Sequence, residues 1–195
     1  DAPPKLPPVA VPERFILCVG TIEPRKNHLT LLAAFERFAA ESNDRETHLV
    51  LVGGLGWKYE PILAALDASP LRQRIHHFSG VSTPGVAELY RRALMTVYPS
   101  LYEGFGLPVL EAMACGCPVV CSNVSSLPEA GGDAALLVDP HDVEGLAHAM
   151  CRVARNEALR AHMRDAGLRH AGRFTWEASA RDTLAVYERL APGAL

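Results

Sequence analysis

Two acidic and two basic residues stand beside glycine- or proline-containing turns, and their types could bind a ligand. Glu103 lies between a tyrosine and a Gly-Phe-Gly turn, and Glu111 follows in the same segment. Arg25 and Lys26 are adjacent to each other and come shortly after Gly20. Carboxylates accept hydrogen bonds from hydroxyl groups, whereas arginine and lysine donate to anions such as phosphate. The four side chains therefore suit a ligand that carries both hydroxyls and phosphates.

The positions of these residues depend on the strands and helices around them. Short apolar runs bounded by glycine or proline predict buried strands, and apolar residues at 3.6-residue spacing predict helices. The predicted strands cover residues 15–20, 48–54, 75–80, 95–99, 118–122 and 135–139. The predicted helices cover residues 24–40, 59–67, 86–93, 108–115, 143–155, 157–171 and 175–190, and the third should be capped by Thr83. This alternation predicts an α/β fold with a Rossmann-like parallel sheet of about six strands flanked by helices.

In an open parallel sheet, ligands bind beyond the carboxyl ends of the strands. The loops after Gly20 and after the fourth strand are therefore expected to meet at one edge. Arg25 and Lys26 fall at the start of the predicted helix 24–40, where cations oppose the helix dipole, so an anionic ligand is indicated. Together with the two acids, they describe a site for a sugar nucleotide. A solvated basic pair and ordinary first-turn acids are the alternative interpretation.

The glycine-rich segment 53–56 does not favour a nicotinamide cofactor. It follows the second strand rather than the first, and it does not match G-x-G-x-x-G. The acid that this fingerprint needs near the end of the following strand is also missing. A dinucleotide-dependent enzyme is therefore disfavoured.

Composition narrows the class of protein further. The chain has 195 residues and a net charge of −3 without a basic run, which disfavours nucleic-acid binding. The number of cysteines is odd and three lie in apolar runs, so we expect buried, reduced thiols in a cytoplasmic protein. The cysteines are Cys18, Cys115, Cys117, Cys121 and Cys151. The spacing of Cys115, Cys117 and Cys121 lacks a fourth ligand, so neither a metal nor another cofactor is expected.

Four segments together resemble the C-terminal, donor-binding domain of family 4 retaining glycosyltransferases of the GT-B fold. They read VGTIEPRKN, GGLGW, YPSLYEGFGLPVLEAMACGCPVV and SNVSSLPEAGGDAALLVDP. The resemblance extends over about residues 15–190, and its centre is the Glu-x7-Glu motif formed by Glu103 and Glu111. It implies one lobe of a GT-B fold. It also implies transfer of a hexose from a nucleoside-diphosphate sugar in glycan or polysaccharide synthesis, and GGLGW and SNVSSLPE are similar to mannosyl- and rhamnosyl-type bacterial transferases.

The resemblance also implies a role for each matched residue. Arg25 and Lys26 would hold the donor diphosphate and stabilise the leaving group, and Glu103 would contact hydroxyls of the transferred sugar, so these three form the expected catalytic set. Glu111 would bind ribose hydroxyls. The other donor-binding residues implied are Gly20, Gly54, Val81, Gly104, Phe105, Gly106 and Leu107. Related enzymes generally need no catalytic metal.

The proline-rich start of the chain and the same resemblance predict the domain organisation. Residues 1–14 are proline-rich and predict a linker, and residues 15–195 are expected to form the nucleotide-sugar-binding domain. An N-terminal lobe with the acceptor site is missing, so the isolated domain is expected to be inactive. That lobe would pack on the donor domain, helix 175–190 could face it, and it could carry a peripheral membrane contact. A stand-alone nucleotide-binding or regulatory module and a GT-B sugar-nucleotide epimerase stay open, whereas a phosphorylase lacks its pyridoxal-lysine motif.

Overall fold

A computed structural model of the chain describes residues 11–190, and its centre is a six-stranded parallel sheet. The strands are β1 (Phe15–Val19), β2 (His48–Val52), β3 (Ile75–Phe78), β4 (Met95–Tyr98), β5 (Val119–Ser122) and β6 (Ala135–Val138). Their order in the sheet is β3-β2-β1-β4-β5-β6, and every neighbouring pair is parallel. The direction of winding reverses between β1 and β4, and a crevice opens at such a point. The predicted α/β fold is confirmed.

Eight α-helices are present within residues 11–190. They are α1 (His28–Ser42), α2 (Glu60–Ala68), α3 (Thr83–Arg92), α4 (Leu107–Ala114), α5 (Leu127–Gly131), α6 (Val143–Arg155), α7 (Glu157–Ala171) and α8 (Trp176–Leu190). Three single-turn 3-10 helices occur at Pro24–Lys26, Arg72–Arg74 and Gly132–Ala134. The bounds predicted for α6 and α7 agree with the structure because both have capping side chains, Asp142 and Asn156.

Two details of the predicted helices are wrong. Arg25 and Lys26 do not open α1, because they belong to the separate 3-10 turn and Asn27 follows with a left-handed φ of 59°. The residue that caps α3 is Ser82, whose hydroxyl accepts from the N–H of Gly85 at 3.3 Å, and Thr83 is the first helical residue. In addition, α5 was not predicted, because five residues are too few for a periodic apolar pattern.

The four central strands, β2, β1, β4 and β5, are buried on both faces, so two apolar clusters enclose the middle of the sheet. On one face, Ile16 and Leu49 pack with α1, α2 and α6. On the other, Leu17 and Val50 pack with α3, α4 and α5. Each fully buried aliphatic side chain contributes about 1.5–3 kcal/mol, so these two clusters hold the sheet edge rigid beneath its loops.

The amino ends of β1, β2 and β3 are joined by what we call the amino-edge cluster: Arg14, Asp44, Thr47 and Arg74. The carboxylate of Asp44 accepts from the hydroxyl and the N–H of Thr47, both at 2.7 Å. Arg14 donates to the Thr47 hydroxyl at 2.9 Å, and Arg74 donates to the carbonyls of Asp44 and Thr47, each at 3.0 Å. The cluster therefore ties together the residues that immediately precede three strands.

Of the predicted linker, residues 1–14, the structure describes only residues 11–14. Residues 1–10 lie outside the described residues, and so do residues 191–195 of the predicted domain. Val11 packs against the second apolar cluster, and Arg14 belongs to the amino-edge cluster. The described end of the predicted linker is therefore in contact with the domain.

The helix α8 differs from the other helices because none of its residues is buried. Its apolar side chains are largely exposed, with Trp176 at 80% and Tyr187 at 57%. No helix within residues 11–190 combines the length and apolar character needed to cross a bilayer.

Candidate functional site

The loop after β1 is held against the loops after β4 and β6 by Asn27. Its side-chain amide donates to the carbonyl of Pro99 at 3.0 Å and to that of Pro140 at 2.7 Å. The N–H of Leu101 in turn donates to the carbonyl of Arg25 at 2.9 Å. Asparagine tolerates the left-handed conformation that this turn requires. These bonds bring Arg25 and Lys26 to the carboxyl edge of β4.

At this edge, five residues form what we call the carboxyl-edge cluster: Glu23, Arg25, Lys26, Tyr98 and Glu103. Arg25 Nη1 lies 2.7 Å from Glu103 Oε2, and Lys26 Nζ lies 2.7 Å from Glu103 Oε1. Arg25 Nη2 binds Glu23 Oε1 at 2.8 Å. The Tyr98 hydroxyl lies between Lys26 and Glu103, because it accepts from Lys26 Nζ at 2.5 Å and donates to Glu103 Oε1 at 2.9 Å.

Burial makes the charges of this cluster depend on one another. Glu103 is only 8% exposed. Burial alone would raise its pKa, but hydrogen bonds from Lys26 and Arg25 outweigh it and lower the pKa below the usual value. Glu103 is therefore ionised at neutral pH. Burial, and then the negative charge of Glu103, raise the pKa of Tyr98 far above its usual value, so its hydroxyl stays a donor.

The two cations keep unused N–H donors although both are paired. The ammonium group of Lys26 has three N–H donors and uses two of them, one for Tyr98 and one for Glu103. Arg25 uses Nη1 for Glu103 and the carbonyl of Tyr102, and Nη2 for Glu23. Within residues 11–190, its Nε–H has no acceptor. The side chain of Arg25 is 38% exposed, so its donors are accessible to a ligand at the crevice, whereas the side chain of Lys26 is only 10% exposed.

The backbone of Glu103 is fixed from a second loop, which the sequence analysis missed. The Ser125 hydroxyl accepts from the N–H of Glu103 at 3.1 Å, and the Ser126 hydroxyl donates to its carbonyl at 3.0 Å. Ser125 has a φ of 53°, an uncommon conformation for a serine. A non-glycine residue at positive φ beside the cluster is the kind of strain that accompanies functional sites.

The turn from Gly104 to Gly106 leads directly into α4. Gly106 has a φ of 108°, and a Cβ there would come within 2.8 Å of Leu127 Cδ2, so a larger residue does not fit. No side chain caps α4, and Pro108 lies in its first turn. Pro108 has no N–H, and the N–H of Val109 donates to the carbonyl of Gly106 at 2.9 Å, so the N–H of Leu107 is the donor that this first turn can offer an anion. Phe105 is half-buried, and its ring packs edge-on against Phe174, with centroids 5.7 Å apart.

The other predicted donor-binding residues are distributed along the same edge. Gly20 and Gly54 follow β1 and β2, where the N–H of Gly20 binds the carbonyl of Val52 and the carbonyl of Gly54 binds the N–H of Ile22, both at 2.8 Å. Val81 is half-buried after β3. The glycine-rich segment has a packing role, because a Cβ on Gly53 would lie 2.0 Å from the carbonyl oxygen of Gly20.

Glu111 is separate from the cluster. It lies in the second turn of α4, rather than just inside the helix, and its side chain is exposed. Its carboxylate makes no hydrogen bond or ion pair with any residue from 11 to 190. The structure thus brings together Arg25, Lys26 and Glu103, and leaves Glu111 available to solvent or to a ligand.

The cysteines and histidines do not form a site within the described residues. All five cysteines are unpaired, and four of them are buried in the core. No group of three or more His, Cys, Asp or Glu in residues 11–190 is arranged to hold a metal ion.

Comparison with known proteins identifies the family of this chain. The model of the family "Glycosyl transferases group 1" matches residues 7–170. The O-antigen chain mannosyltransferase B of Escherichia coli is 39% identical over 90% of this chain. The MMP alpha-(1->4)-mannosyltransferase of Mycolicibacterium hassiacum is 36% identical over 92%. This chain spans 46% and 44% of those two proteins, which is less than half of each.

A solved structure has the same fold. Sucrose-phosphate synthase from Thermosynechococcus elongatus superposes with a TM-score of 0.79 and 31% identity, over 91% of this chain and 45% of that one. The shared fold, the match to the family model and the residues at the sheet edge agree. The chain belongs to the glycosyl transferases group 1 family.

Proposed function

We propose that this chain is the donor-binding lobe of a retaining glycosyltransferase that moves a hexose from a nucleoside-diphosphate sugar to an acceptor in glycan or polysaccharide synthesis. The observation that carries the proposal is the convergence of Arg25, Lys26 and Glu103 at the switch point of the sheet. The mannosyltransferase names of the relatives favour mannose as the hexose.

In this proposal the two cations stabilise the departing nucleoside diphosphate. Negative charge grows on the phosphate as the bond to the sugar breaks, and preorganised donors are most effective there. The unused N–H groups of Arg25 and Lys26 would donate to that phosphate, and the N–H of Leu107 at the start of α4 would add partial positive charge. These groups do the electrostatic work that a metal ion does elsewhere, so no metal is proposed.

Binding of the donor must also rearrange the ion pairs. Glu23, Arg25, Lys26 and Glu103 carry two negative and two positive charges, so the cluster is neutral without a ligand. A diphosphate would take over part of the interaction that Glu103 now makes with both cations. The Glu103 carboxylate would then accept hydrogen bonds from sugar hydroxyls, while the exposed Glu111 would bind ribose hydroxyls.

The proposed partner is a second lobe of the same protein. The chain spans less than half of its mannosyltransferase relatives, which leaves room for an acceptor-binding lobe. The exposed apolar side chains of α8 are suited to contact it. The unpaired cysteines are consistent with a cytoplasmic site of action, which we also propose.

The test is calorimetric titration of the complete protein that carries this chain with UDP, GDP and ADP. We expect one nucleotide to bind with a Kd of about 10–1000 μM, and Lys26→Ala to weaken it at least about tenfold. Arg37→Ala is the control, because Arg37 forms exposed ion pairs with Glu41 and Glu144 away from the sheet edge. If all three nucleotides fail to bind, or if both variants weaken binding equally, the proposal is wrong.

Product analysis separates the remaining alternatives. A transferase releases the nucleoside diphosphate and glycosylates the acceptor. A sugar-nucleotide epimerase instead changes the sugar, and a binding module yields no product. Incubation with the donor sugar and separation of the products by chromatography therefore distinguishes the three functions.

A further inference from the structure

Tyr98, the last residue of β4, lies beneath the ion pair of the carboxyl-edge cluster and is 1% exposed. Its hydroxyl bonds to both Lys26 Nζ and Glu103 Oε1. Its ring also faces the ammonium group, with Nζ 4.9 Å from the ring centroid. One side chain therefore contacts both partners of the buried pair through its hydroxyl, and contacts the cation a second time through its ring.

These contacts determine where the lysine can point. A lysine side chain is long and flexible, and its ammonium group has three donors that rotate together. Tyr98 and Glu103 accept two of them, so the direction of the third is set. Within residues 11–190, that third donor has no acceptor. If Tyr98 lacked its hydroxyl, Glu103 would be the one hydrogen-bond acceptor left for the ammonium group in the described part of the chain.

We propose that Tyr98 is a positioning residue, which acts through Lys26 by aiming its third N–H at the phosphate oxygen of the departing group. The inference rests on the proposed function. Tyr98 itself does not touch the donor, because it is covered by Lys26 and Glu103. Its hydroxyl remains protonated, as burial and the charge of Glu103 require, so the same donor–acceptor pattern persists throughout the neutral pH range.

The chain offers a matched control in Tyr90 of α3. Tyr90 is also 1% exposed, and its buried hydroxyl has no hydrogen-bond partner among the described residues. Replacing either tyrosine with phenylalanine removes one buried oxygen atom and nothing else. The two variants therefore differ in whether hydrogen bonds to the ion pair are lost.

The test compares Tyr98→Phe and Tyr90→Phe in the complete protein, with steady-state transfer kinetics, calorimetry and thermal unfolding. Since hydrogen bonds to charged groups are the stronger ones, we expect Tyr98→Phe to lower kcat about tenfold. The KM for the donor should stay within about twofold, because the ground-state contacts of the diphosphate persist. Tyr90→Phe should leave kcat and KM unchanged.

Each result has a distinct meaning. An unchanged kcat in Tyr98→Phe overturns the inference, and so does an equal loss in both variants. A fall in melting temperature beyond about 5 °C in Tyr98→Phe together with a raised KM indicates a structural role and also overturns it. If the unaltered protein neither binds a nucleoside diphosphate nor transfers a sugar, the proposed function fails, and the inference fails with it.

Discussion

The sheet has a charged cluster at each end, and the two clusters are built differently. In the amino-edge cluster, the carboxylate of Asp44 accepts from the backbone N–H groups of Glu46 and Thr47 as well as from the Thr47 hydroxyl. In the carboxyl-edge cluster, the carboxylate of Glu103 is bound by side chains alone, those of Arg25, Lys26 and Tyr98.

This difference separates a structural ion cluster from one suited to binding. Backbone donors cannot leave without breaking the turn that carries them, so Asp44 fixes the entry into β2. The Arg25 and Lys26 side chains can exchange one anion for another while the backbone beneath them stays in place. Asn27 holds that backbone independently of the charges. We infer that the carboxyl edge can accept an anionic ligand and that the amino edge serves stability.

The largest expected effect is on catalysis at the carboxyl edge. Lys26→Met should lower kcat by about 10²–10³-fold and raise KM much less, because the lost charge acts mainly on the departing phosphate. Transfer kinetics of the complete protein measure both constants. Lys58→Met is the control, since Lys58 is exposed at the same edge and lies over the ring of Trp57. Unchanged turnover in Lys26→Met would refute the role of this cation.

The second prediction concerns stability at the amino edge. Asp44→Ala should lower the free energy of unfolding by about 3 kcal/mol, because the buried hydroxyl of Thr47 loses its acceptor and the half-buried Arg74 loses its ion pair. Urea unfolding measures the loss, and calorimetry should give the same nucleotide affinity for the folded protein. A variant that stays stable but loses nucleotide affinity would reverse the assignment of the two edges.

The third prediction uses pH and concerns His28, which begins α1 next to the carboxyl-edge cluster. Burial, helped by the positive charges of His77 and Lys26 and partly offset by the backbone of Glu23, lowers its pKa from 6.5 to about 4. The unfolded chain therefore binds this proton first. His28 adds stability above pH 6.5, and up to about 3 kcal/mol of it is lost as the pH falls towards 4.

The measurement for His28 is urea unfolding between pH 7 and 4, for the unaltered protein and for His28→Gln. Other groups titrate in the same range, including His48 and His76, whose pKa values burial also lowers. The difference between the two proteins isolates His28. We expect the variant to lose less stability with falling pH, and parallel curves would contradict this expectation.

The smallest expected effect is that of Glu111. Glu111→Gln should weaken nucleotide binding about fivefold through the lost interaction with ribose hydroxyls, and change the free energy of unfolding by less than about 0.5 kcal/mol because the side chain is exposed. Calorimetry with whichever of UDP, GDP and ADP binds the unaltered protein measures the change in affinity. Glu60→Gln on the exposed start of α2 is the control. Equal affinity in all three proteins would remove Glu111 from the site.

The local pattern of apolar and polar residues in the sequence was sufficient to predict the fold and the general location of the site. Apolar runs and helical periodicity are local features, so they predicted six strands and the bounds of α6 and α7. The parallel arrangement then implied that Arg25, Lys26 and Glu103 would meet, because the carboxyl ends of such strands share one edge. The short helix α5 and the 3-10 turn before α1 escaped prediction, since each has too few residues to show a period.

By itself, the sequence determined which residues would come to the ligand edge, because chain order and strand direction dictate that edge. Only the tertiary structure decided how they pair: that Tyr98 lies between Lys26 and Glu103, that Ser125 and Ser126 hold the Glu103 backbone, and that Glu111 stands apart. Hydrogen bonds depend on distances of a few tenths of an ångström between residues far apart in the chain, and those distances are set by the packing of the whole core.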